Sequence, residues 1–167
     1  GVIFFSDKIE KFIPAQKGKT HVLHIIRELL SFEPTSTGTD IAQALQYFAN
    51  AQKRHCTAFL ISDFIGAGAM YKPLLIASNR HEVNAIQIYD RREAELPNIG
   101  LVKFYDAETG NDLWVDTAIA AVRNDYAQAW RENQNEIQQL FTRTGVNHVS
   151  IRTDEDYVKA LMHLFRC

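Results

Sequence analysis

The sequence predicts an α/β domain built on a Rossmann-like, mostly parallel sheet with helices on both faces. The run Cys56–Ser62 is continuously apolar and closed by turn residues, as expected of a strand buried on both faces. Segments of helical periodicity alternate with strand-like runs almost throughout, which favours parallel strands joined by right-handed crossovers. With 167 residues, of which 46% are hydrophobic, we expect one domain over residues 1–167.

Composition excludes several classes of protein. Lys and Arg number 18 against 20 Asp and Glu, so a net charge of -2 gives no nucleic-acid-binding footprint. No apolar run reaches transmembrane length, and no signal peptide is recognisable. Cys56 and Cys167 form neither a metal-ligand spacing nor a disulfide framework, and Cys56 is predicted to be a small buried residue. We expect a cytoplasmic protein with no membrane segment in this chain and no nucleic-acid partner.

The first strand begins almost at Gly1, which predicts a fragment that starts in mid-domain. Val2–Phe5 is predicted to be a buried strand, followed by the turn Ser6–Lys8. Lys8–Ala15 alternates partly and contains Pro14, so we expect an edge strand or an extended segment there.

Two helices should follow, because their apolar residues recur at helical spacing. The first covers His21–Ser31 and ends before Pro34. The second begins at Ile41, with Thr39 or Asp40 as its N-cap and Gln43 in position to complete a capping box from Asp40. Beyond the Cys56 strand, a polar loop is expected at Arg91–Pro97 and a β-hairpin insertion near residues 100–116. The remaining predicted elements, in chain order, are a helix at Met70–Asn79, a strand at Val83–Tyr89, a long helix at Ala118–Thr142 ended by Gly145, a strand at His148–Ile151 and a last helix capped by Thr153.

Acidic residues follow the predicted strands. If the sheet is parallel, these carboxylates share one edge, where they repel each other and favour a cation such as Mg²⁺. Thr39 would bring a hydroxyl to the same edge. For Asp7, Asp90 and Asp154 a turn or cap role is the favoured interpretation, whereas for Asp63 a turn role and a functional role remain equally open.

Motifs of other site classes are absent from the sequence. Gly66–Gly68 lies between a strand and a helix, but Tyr71 stands where a dinucleotide fingerprint needs its third glycine. No phosphate-cradling loop and no nucleophile elbow occur. His21 and His24 lie three residues apart with no third metal ligand nearby, so an exposed helix start is the favoured interpretation.

Several segments resemble, in order and spacing, the bacterial domain of unknown function 58, a von Willebrand factor A-like family typically encoded beside MoxR-type AAA+ ATPases. The resemblance covers nearly the whole chain. The segments on which the resemblance rests are Val2–Asp7, Phe32–Pro34, Gly38–Ile41 with Ala44 and Leu45, Leu60–Asp63, Ile88–Asp90 with Glu95–Pro97, Asp106–Gly110 and Thr153–Tyr157.

The resemblance implies that Thr39 and Asp63 occupy positions of a metal-ion-dependent adhesion site for Mg²⁺ or Mn²⁺. The family fold begins with a central strand ending in Asp-x-Ser-x-Ser, and no such motif occurs here. The resemblance therefore implies an N-terminally truncated domain that binds the cation weakly or not at all. Without that strand, Val2–Phe5 and Cys56–Ser62 would pair with each other or, through unpaired edges, with another molecule, so self-association is expected.

The leading hypothesis is a non-enzymatic protein-interaction domain that acts with a MoxR-type AAA+ ATPase in the assembly or maturation of other proteins. No catalytic residue is assigned. The alternative is a Rossmann-like, metal-dependent phosphohydrolase that uses the acidic strand-end edge, with Asp7 and Asp63 as the candidate nucleophile or base. A third interpretation is a degenerate scaffold in which that edge is only structural.

Overall fold

A computed structural model describes residues 1–65, 69–105 and 112–165. Strands and helices alternate over most of the chain. The elements are β1 (Val2–Phe5), β2 (Ile9–Ile13), α1 (Lys19–Ser31), α2 (Ile41–Ala51), β3 (Thr57–Ser62), α3 (Tyr71–Arg80), β4 (Glu82–Tyr89), α4 (Arg91–Ala94), β5 (Leu101–Tyr105), β6 (Asp112–Asp116), α5 (Ala120–Thr144), β7 (Asn147–Arg152) and α6 (Tyr157–Leu164).

The centre of the fold is a parallel sheet with the strand order β3-β4-β7, which confirms the predicted parallel arrangement for these strands. β4 lies in the middle, and its residues 83–87 are all buried. Only a central strand covered on both faces buries such a continuous run. The strand register aligns Ile61 with Ile86 and Ile86 with Val149.

Helices α2, α3 and α5 cover one face of this sheet. Leu60 of β3 together with Val83 and Ala85 of β4 contributes the sheet side of this core. The helical side is supplied by Ile41, Leu45, Met70, Leu74, Ala77, Ile137 and Phe141. The long helix α5 ends at Gly145, whose φ of 66° is the left-handed conformation that glycine adopts most easily.

The other face of the sheet is covered by α6. Ile86 and Ile151 pack there against Leu164. Helices therefore lie on both faces, as predicted, but the second cover is incomplete because Phe59 and Ile61 of β3 remain 42% and 54% exposed.

The prediction that Val2–Phe5 is a buried strand is wrong in most of its residues. β1 pairs antiparallel with β2 in a separate two-stranded sheet, and Phe4 is the only buried residue of β1. The connection explains the pairing, because Ser6–Lys8 is a short turn and a parallel crossover needs about a dozen residues or more. In the described parts of the chain β1 and β3 do not pair with each other.

The predicted hairpin insertion is present as the antiparallel pair β5-β6, where Lys103 forms an ion pair with Asp112. Its loop, which includes the resemblance segment Asp106–Gly110, lies outside the described residues, as do Gly66–Gly68 and Cys167.

Two local predictions need correction. The expected loop at Arg91–Pro97 begins with the short helix α4, because Asp90 and Glu93 form a complete capping box. The last helix is capped by Asp156 instead of Thr153, since the Asp156 carboxylate accepts the Val158 N–H at 3.0 Å. The Thr153 N–H instead donates a hydrogen bond to the Tyr89 carbonyl of the neighbouring strand.

Helix α1 differs from the other long helices, because none of its residues is buried. Phe32, directly after it, stacks on Phe4 with ring centroids 4.7 Å apart, and Lys11 forms an ion pair with Glu28. Among the described residues, no helix has the length and apolarity needed to cross a bilayer.

Candidate functional site

Asp63 follows the last residue of β3, so it lies at the carboxyl edge of the parallel sheet. Its side chain is exposed, and its Oδ1 accepts the Ile65 N–H at 3.1 Å. The Ser62 hydroxyl donates to the same oxygen at 3.4 Å. These bonds form an Asx turn, which confirms the turn role that the sequence suggested. They leave the second carboxylate oxygen without a hydrogen-bond partner in the described structure.

The next residue, Phe64, has an unusual backbone. Its φ is 58°, and it is the only described residue other than glycine with a positive φ. The side chain is fully buried and packs edge-on against Phe141, with ring centroids 5.3 Å apart. The Phe64 N–H donates to the Ser62 hydroxyl at 3.1 Å. A left-handed aromatic residue costs on the order of 1–3 kcal/mol, and burial of the ring offsets this cost.

Gln87 fixes the same turn from the middle of the sheet. Its Nε2 donates to the Asp63 carbonyl at 3.0 Å, and its Oε1 accepts the Ser150 hydroxyl at 2.8 Å. Gln87 is almost fully buried, so both bonds satisfy groups that water does not reach. The sequence analysis missed this residue. The signal was the presence of two amide side chains, Asn84 and Gln87, in the largely apolar run Val83–Tyr89.

The loop that precedes α2 is attached to the β1-β2 hairpin by Glu10. The Glu10 carboxylate accepts the Thr35 hydroxyl at 2.7 Å, the Thr35 N–H at 3.1 Å and the Ser6 hydroxyl at 2.8 Å. The hydrogen bond from the Thr35 hydroxyl is the main cause that lowers the pKa of Glu10 from its ordinary value. The sequence analysis did not identify this clamp, because Glu10 and Thr35 lie 25 residues apart.

Thr39 lies on this loop, next to the N-cap of α2. Asp40 is that N-cap, since its carboxylate accepts the Gln43 N–H at 2.8 Å, and its own N–H donates to the Ser6 carbonyl at 2.9 Å. Gly38 passes so close to the turn after β1 that an added Cβ would lie 3.3 Å from the Asp7 Cβ. Thr39 is exposed, and its hydroxyl makes no hydrogen bond within the described residues.

Among the residues that the structure describes, Thr39 and Asp63 do not complete a divalent-cation site. Among the described residues no hydrogen bond joins Thr39 to Asp63, since Thr39 lies in the loop between α1 and α2 whereas Asp63 follows β3. Within the described ranges, no group of three His, Cys, Asp or Glu side chains could hold a metal ion. Mg²⁺ requires about six oxygen ligands, and one carboxylate with one neutral hydroxyl falls well short of that set even when several waters remain bound.

The other strand-end acids have local roles. Asp90 follows β4 and caps α4, which confirms the cap interpretation. Asp154 follows β7 and pairs with the Arg152 guanidinium, whose hydrogen bond lowers the pKa of Asp154. Asp63, Asp90 and Asp154 follow parallel neighbouring strands and share one edge, as predicted. The prediction of a shared edge is wrong for Asp7, because β1 belongs to the antiparallel hairpin and not to the parallel sheet.

A cysteine–histidine contact lies at the opposite end of the sheet. The Cys56 Sγ is 3.7 Å from the His81 Nδ1, and Cys56 is half-buried instead of fully buried. Burial raises the pKa of the Cys56 thiol. Burial also lowers the pKa of His81, and the nearby His55 and Arg80 lower it further. Both shifts favour a neutral thiol and a neutral imidazole, which is unlike an activated nucleophile–base pair.

The family and the relatives that this chain matches below are described without an assigned activity. The family profile described as "Protein of unknown function DUF58" matches residues 1–136. The uncharacterized protein Rv1480 of Mycobacterium tuberculosis is 31% identical over 150 residues, which are 87% of this chain and 46% of that protein. The chain thus spans about half the length of this relative and of the equally similar protein Mb1516 of Mycobacterium bovis.

Two further comparisons differ in coverage and strength. The uncharacterized protein MAV169 of Mycobacterium avium is 30% identical over 158 residues and is covered over 92% of its length. The crystal structure of the conserved hypothetical protein BatB from Bacteroides thetaiotaomicron aligns with 87% of this chain and 70% of its own, at 13% identity. The TM-score of this alignment is 0.46. Because the family profile covers well over half of the sequence, this chain belongs to the DUF58 family.

Proposed function

We propose that this chain is a non-enzymatic protein-interaction domain whose contact surface surrounds Asp63 at the carboxyl edge of the parallel sheet. The observation that carries the proposal is the turn itself. A fully buried, left-handed Phe64 lies directly beside an exposed carboxylate. Strained backbone that the surrounding structure over-determines is concentrated at functional positions.

The chemistry of the turn suits recognition. Gln87 and Ser62 hold the carbonyl and the N–H of the Asp63–Phe64 peptide group, so the Asp63 carboxylate is pre-organised before a partner arrives. One carboxylate oxygen remains available to accept hydrogen bonds, and a charge-assisted bond from a partner's Arg or Lys is among the stronger contacts of this kind. The proposal does not require a cation, because Thr39 and Asp63 alone form an incomplete donor set.

The partner we propose is a MoxR-type AAA+ ATPase, with which the domain would act in the assembly or maturation of other proteins. The support for this partner is the family resemblance described above. We also retain the prediction that Mg²⁺ or Mn²⁺ binds this chain weakly or not at all.

Binding to the ATPase tests the proposal. The chain is immobilised, and a MoxR-type AAA+ ATPase from the same organism is titrated by surface plasmon resonance. We expect Asp63→Ala to weaken binding about tenfold or more, which corresponds to the roughly 1.4 kcal/mol of one charge-assisted contact. Asp125→Ala removes an equally exposed charge from α5 and is the matched control, which should bind like the wild type. Equal affinity of all three proteins would contradict the proposal.

A second assay examines the proposed absence of catalysis. p-Nitrophenyl phosphate is incubated with the chain and Mg²⁺, beside the Asp63→Asn variant. We expect no turnover above the buffer rate for either protein. Turnover that Asp63→Asn abolishes would overturn the proposal in favour of a metal-dependent phosphohydrolase.

A further inference from the structure

A groove lies between the first turn of α3 and the second half of α5, on the helical side of the closed core. Among the described residues that line it, none belongs to the Asp63 turn. Its lining residues on α5 recur at helical spacing, so they share one side of that helix. The Ser78 hydroxyl of α3 donates to the Thr144 carbonyl of α5 at 2.9 Å and fixes the two helices against each other. The walls of the groove are therefore held in place before a ligand arrives.

The floor of this groove is apolar. Met70 and Ile137 are almost fully buried there, and Leu140 is half-buried beside them. Tyr71 lines the rim with 43% of its surface exposed. The cavity has a volume of about 260 Å³, which is below the range of about 300–1,000 Å³ that is usual for small-molecule sites. The groove therefore fits one bulky side chain better than a whole cofactor or metabolite.

Two opposite charges at the rim have no partner within the part of the chain that the structure describes. Glu136 and Arg143 both line the groove and are both exposed, and neither forms an ion pair or a side-chain hydrogen bond with another described residue. They lie seven positions apart on α5, which corresponds to about 10 Å along the helix axis. An extended peptide covers about 10 Å with three residues, so one short segment can reach both charges.

The residue types of the groove favour a protein ligand. Methionine, tyrosine and arginine are enriched in the cores of protein interfaces, and tyrosine and arginine are frequent hot spots of binding energy. Met70, Tyr71 and Arg143 meet in this groove. Asn133 and Gln139 also line it, and their amides can donate to and accept from the backbone of a bound peptide. The groove thus offers an apolar floor, two opposite charges and backbone-binding amides together.

We propose that the groove between α3 and α5 binds an extended segment of a protein partner, in which one bulky apolar side chain is flanked by an acidic and a basic residue. The apolar side chain occupies the floor formed by Met70, Ile137 and Leu140. The acidic residue pairs with Arg143, and the basic residue, about three positions away, pairs with Glu136. This surface does not include Asp63, so the proposal goes beyond the function proposed above and does not depend on it.

Titration of the isotope-labelled chain with short peptides, followed by NMR, tests the proposal. The probe is the peptide acetyl-Glu-Phe-Gly-Lys-amide, whose blocked ends leave only the two side-chain charges. We expect the probe to shift the amide signals of residues 70–71 and 133–143. A version with alanine in place of phenylalanine should bind about tenfold more weakly or worse, because burial of the ring supplies most of the affinity. No shift in these residues, or equal affinity of the alanine version, would overturn the proposal.

Charge reversals test the two ion pairs separately. Arg143→Glu leaves two acidic residues at the rim, so this variant should prefer a probe with two lysines over the original probe by about threefold, as expected of one exposed ion pair. Glu136→Lys should prefer a probe with two glutamates by a similar factor. Arg131→Glu reverses an exposed charge of α5 outside the groove, so this control should keep the wild-type preference for one charge of each sign.

Two results of these titrations would overturn the proposal. The first is a preference that does not follow the charge reversals at Glu136 and Arg143. The second is a shift of residues 70–71 and 133–143 when the concentration of the chain alone is raised, because the occupant of the groove would then be a second copy. The NMR spectra of the free variants also show directly whether each variant is folded like the wild type.

Discussion

The two faces of the central sheet differ in how completely their apolar side chains are covered. On the face below α2, α3 and α5, the core residues of the sheet and the helices are almost fully buried, and Leu74 is completely inaccessible. On the opposite face, α6 buries Ile86 and Ile151 but leaves Phe59, Ile61 and Ile88 half-exposed. The central sheet thus has one face in a closed core and one face that is partly open.

The difference concerns how much each face contributes to stability. Removal of apolar area from water contributes about 25 cal/mol per Å², so the closed face supplies most of the stabilisation. The half-exposed residues of the other face contribute less to folding, because their side chains are already partly in water.

The largest expected effect comes from opening the closed face. Leu74→Ala should lower the free energy of unfolding by about 3 kcal/mol, since it leaves a cavity in the core. Ile88→Ala, on the open face, should lower it by about 1 kcal/mol or less, because the side chain is already partly hydrated. Urea unfolding at low protein concentration measures both values. Similar losses for the two variants would contradict the contrast between the faces.

The next effect concerns the amide that connects the sheet to the Asp63 turn. Gln87→Leu should lower the free energy of unfolding by about 2 kcal/mol, because it leaves the Ser150 hydroxyl and the Asp63 carbonyl without their partner. Adding Ser150→Ala removes the Ser150 hydroxyl that Gln87→Leu leaves without its partner, so it should recover part of the lost free energy of unfolding. If the double variant is less stable by the plain sum of the two single losses, the proposed network is absent.

Most of the helices and strands were predictable from the sequence, whereas the pairing of the first strand was not. Helical spacing and the buried run of β4 are local signals, so α2, α3, α5 and the parallel sheet followed from them. The pairing of β1 with β2 depended on the three-residue turn, whose geometric limit outweighs the apolar character of β1.

The candidate site shows the same division. Asp63 was recognisable from its place after a strand. The roles of Gln87 and of the Glu10–Thr35 clamp depend on contacts between residues 24 and 25 positions apart, which no local pattern encodes.

Low pH should lower the free energy of unfolding through His81, which lies where α2 meets β4. His81 is buried, its Nε2 has no hydrogen-bond partner among the described residues, and its pKa is lowered by burial, His55 and Arg80. The unfolded chain, with a histidine pKa of about 6.5, binds the proton more readily. Stability is therefore fully present above that value and falls as the pH drops towards the lower native pKa.

Urea midpoints between about pH 7.5 and about pH 5.5 measure this effect. His81→Leu should reduce the slope, and His24→Leu, which removes an exposed histidine from α1, is the control. Burial also lowers the pKa of His148, so a smaller slope should remain in His81→Leu. An unchanged slope in His81→Leu would show that His81 does not cause the acid sensitivity.

The smallest expected effect is that of divalent cations on this chain. Calorimetric titration with Mg²⁺ or Mn²⁺ should give weak heats or none, and Asp63→Ala should behave like the wild type, since Thr39 and Asp63 supply too few ligands. Tight, stoichiometric binding that Asp63→Ala removes would show that further ligands complete a site at this edge.

Hydrogen exchange at a protein concentration low enough to prevent association tests the central contrast most directly. Amides of β4, at residues 83–87, should be the slowest, and those of α2 should be well protected, because both belong to the closed core. Amides of α6, which covers the open face and buries only Leu164 among its residues, should exchange faster than those of α2. Equal protection of α6 and α2 would contradict the account, since it would mean that the open face of the sheet is as stable as the closed one.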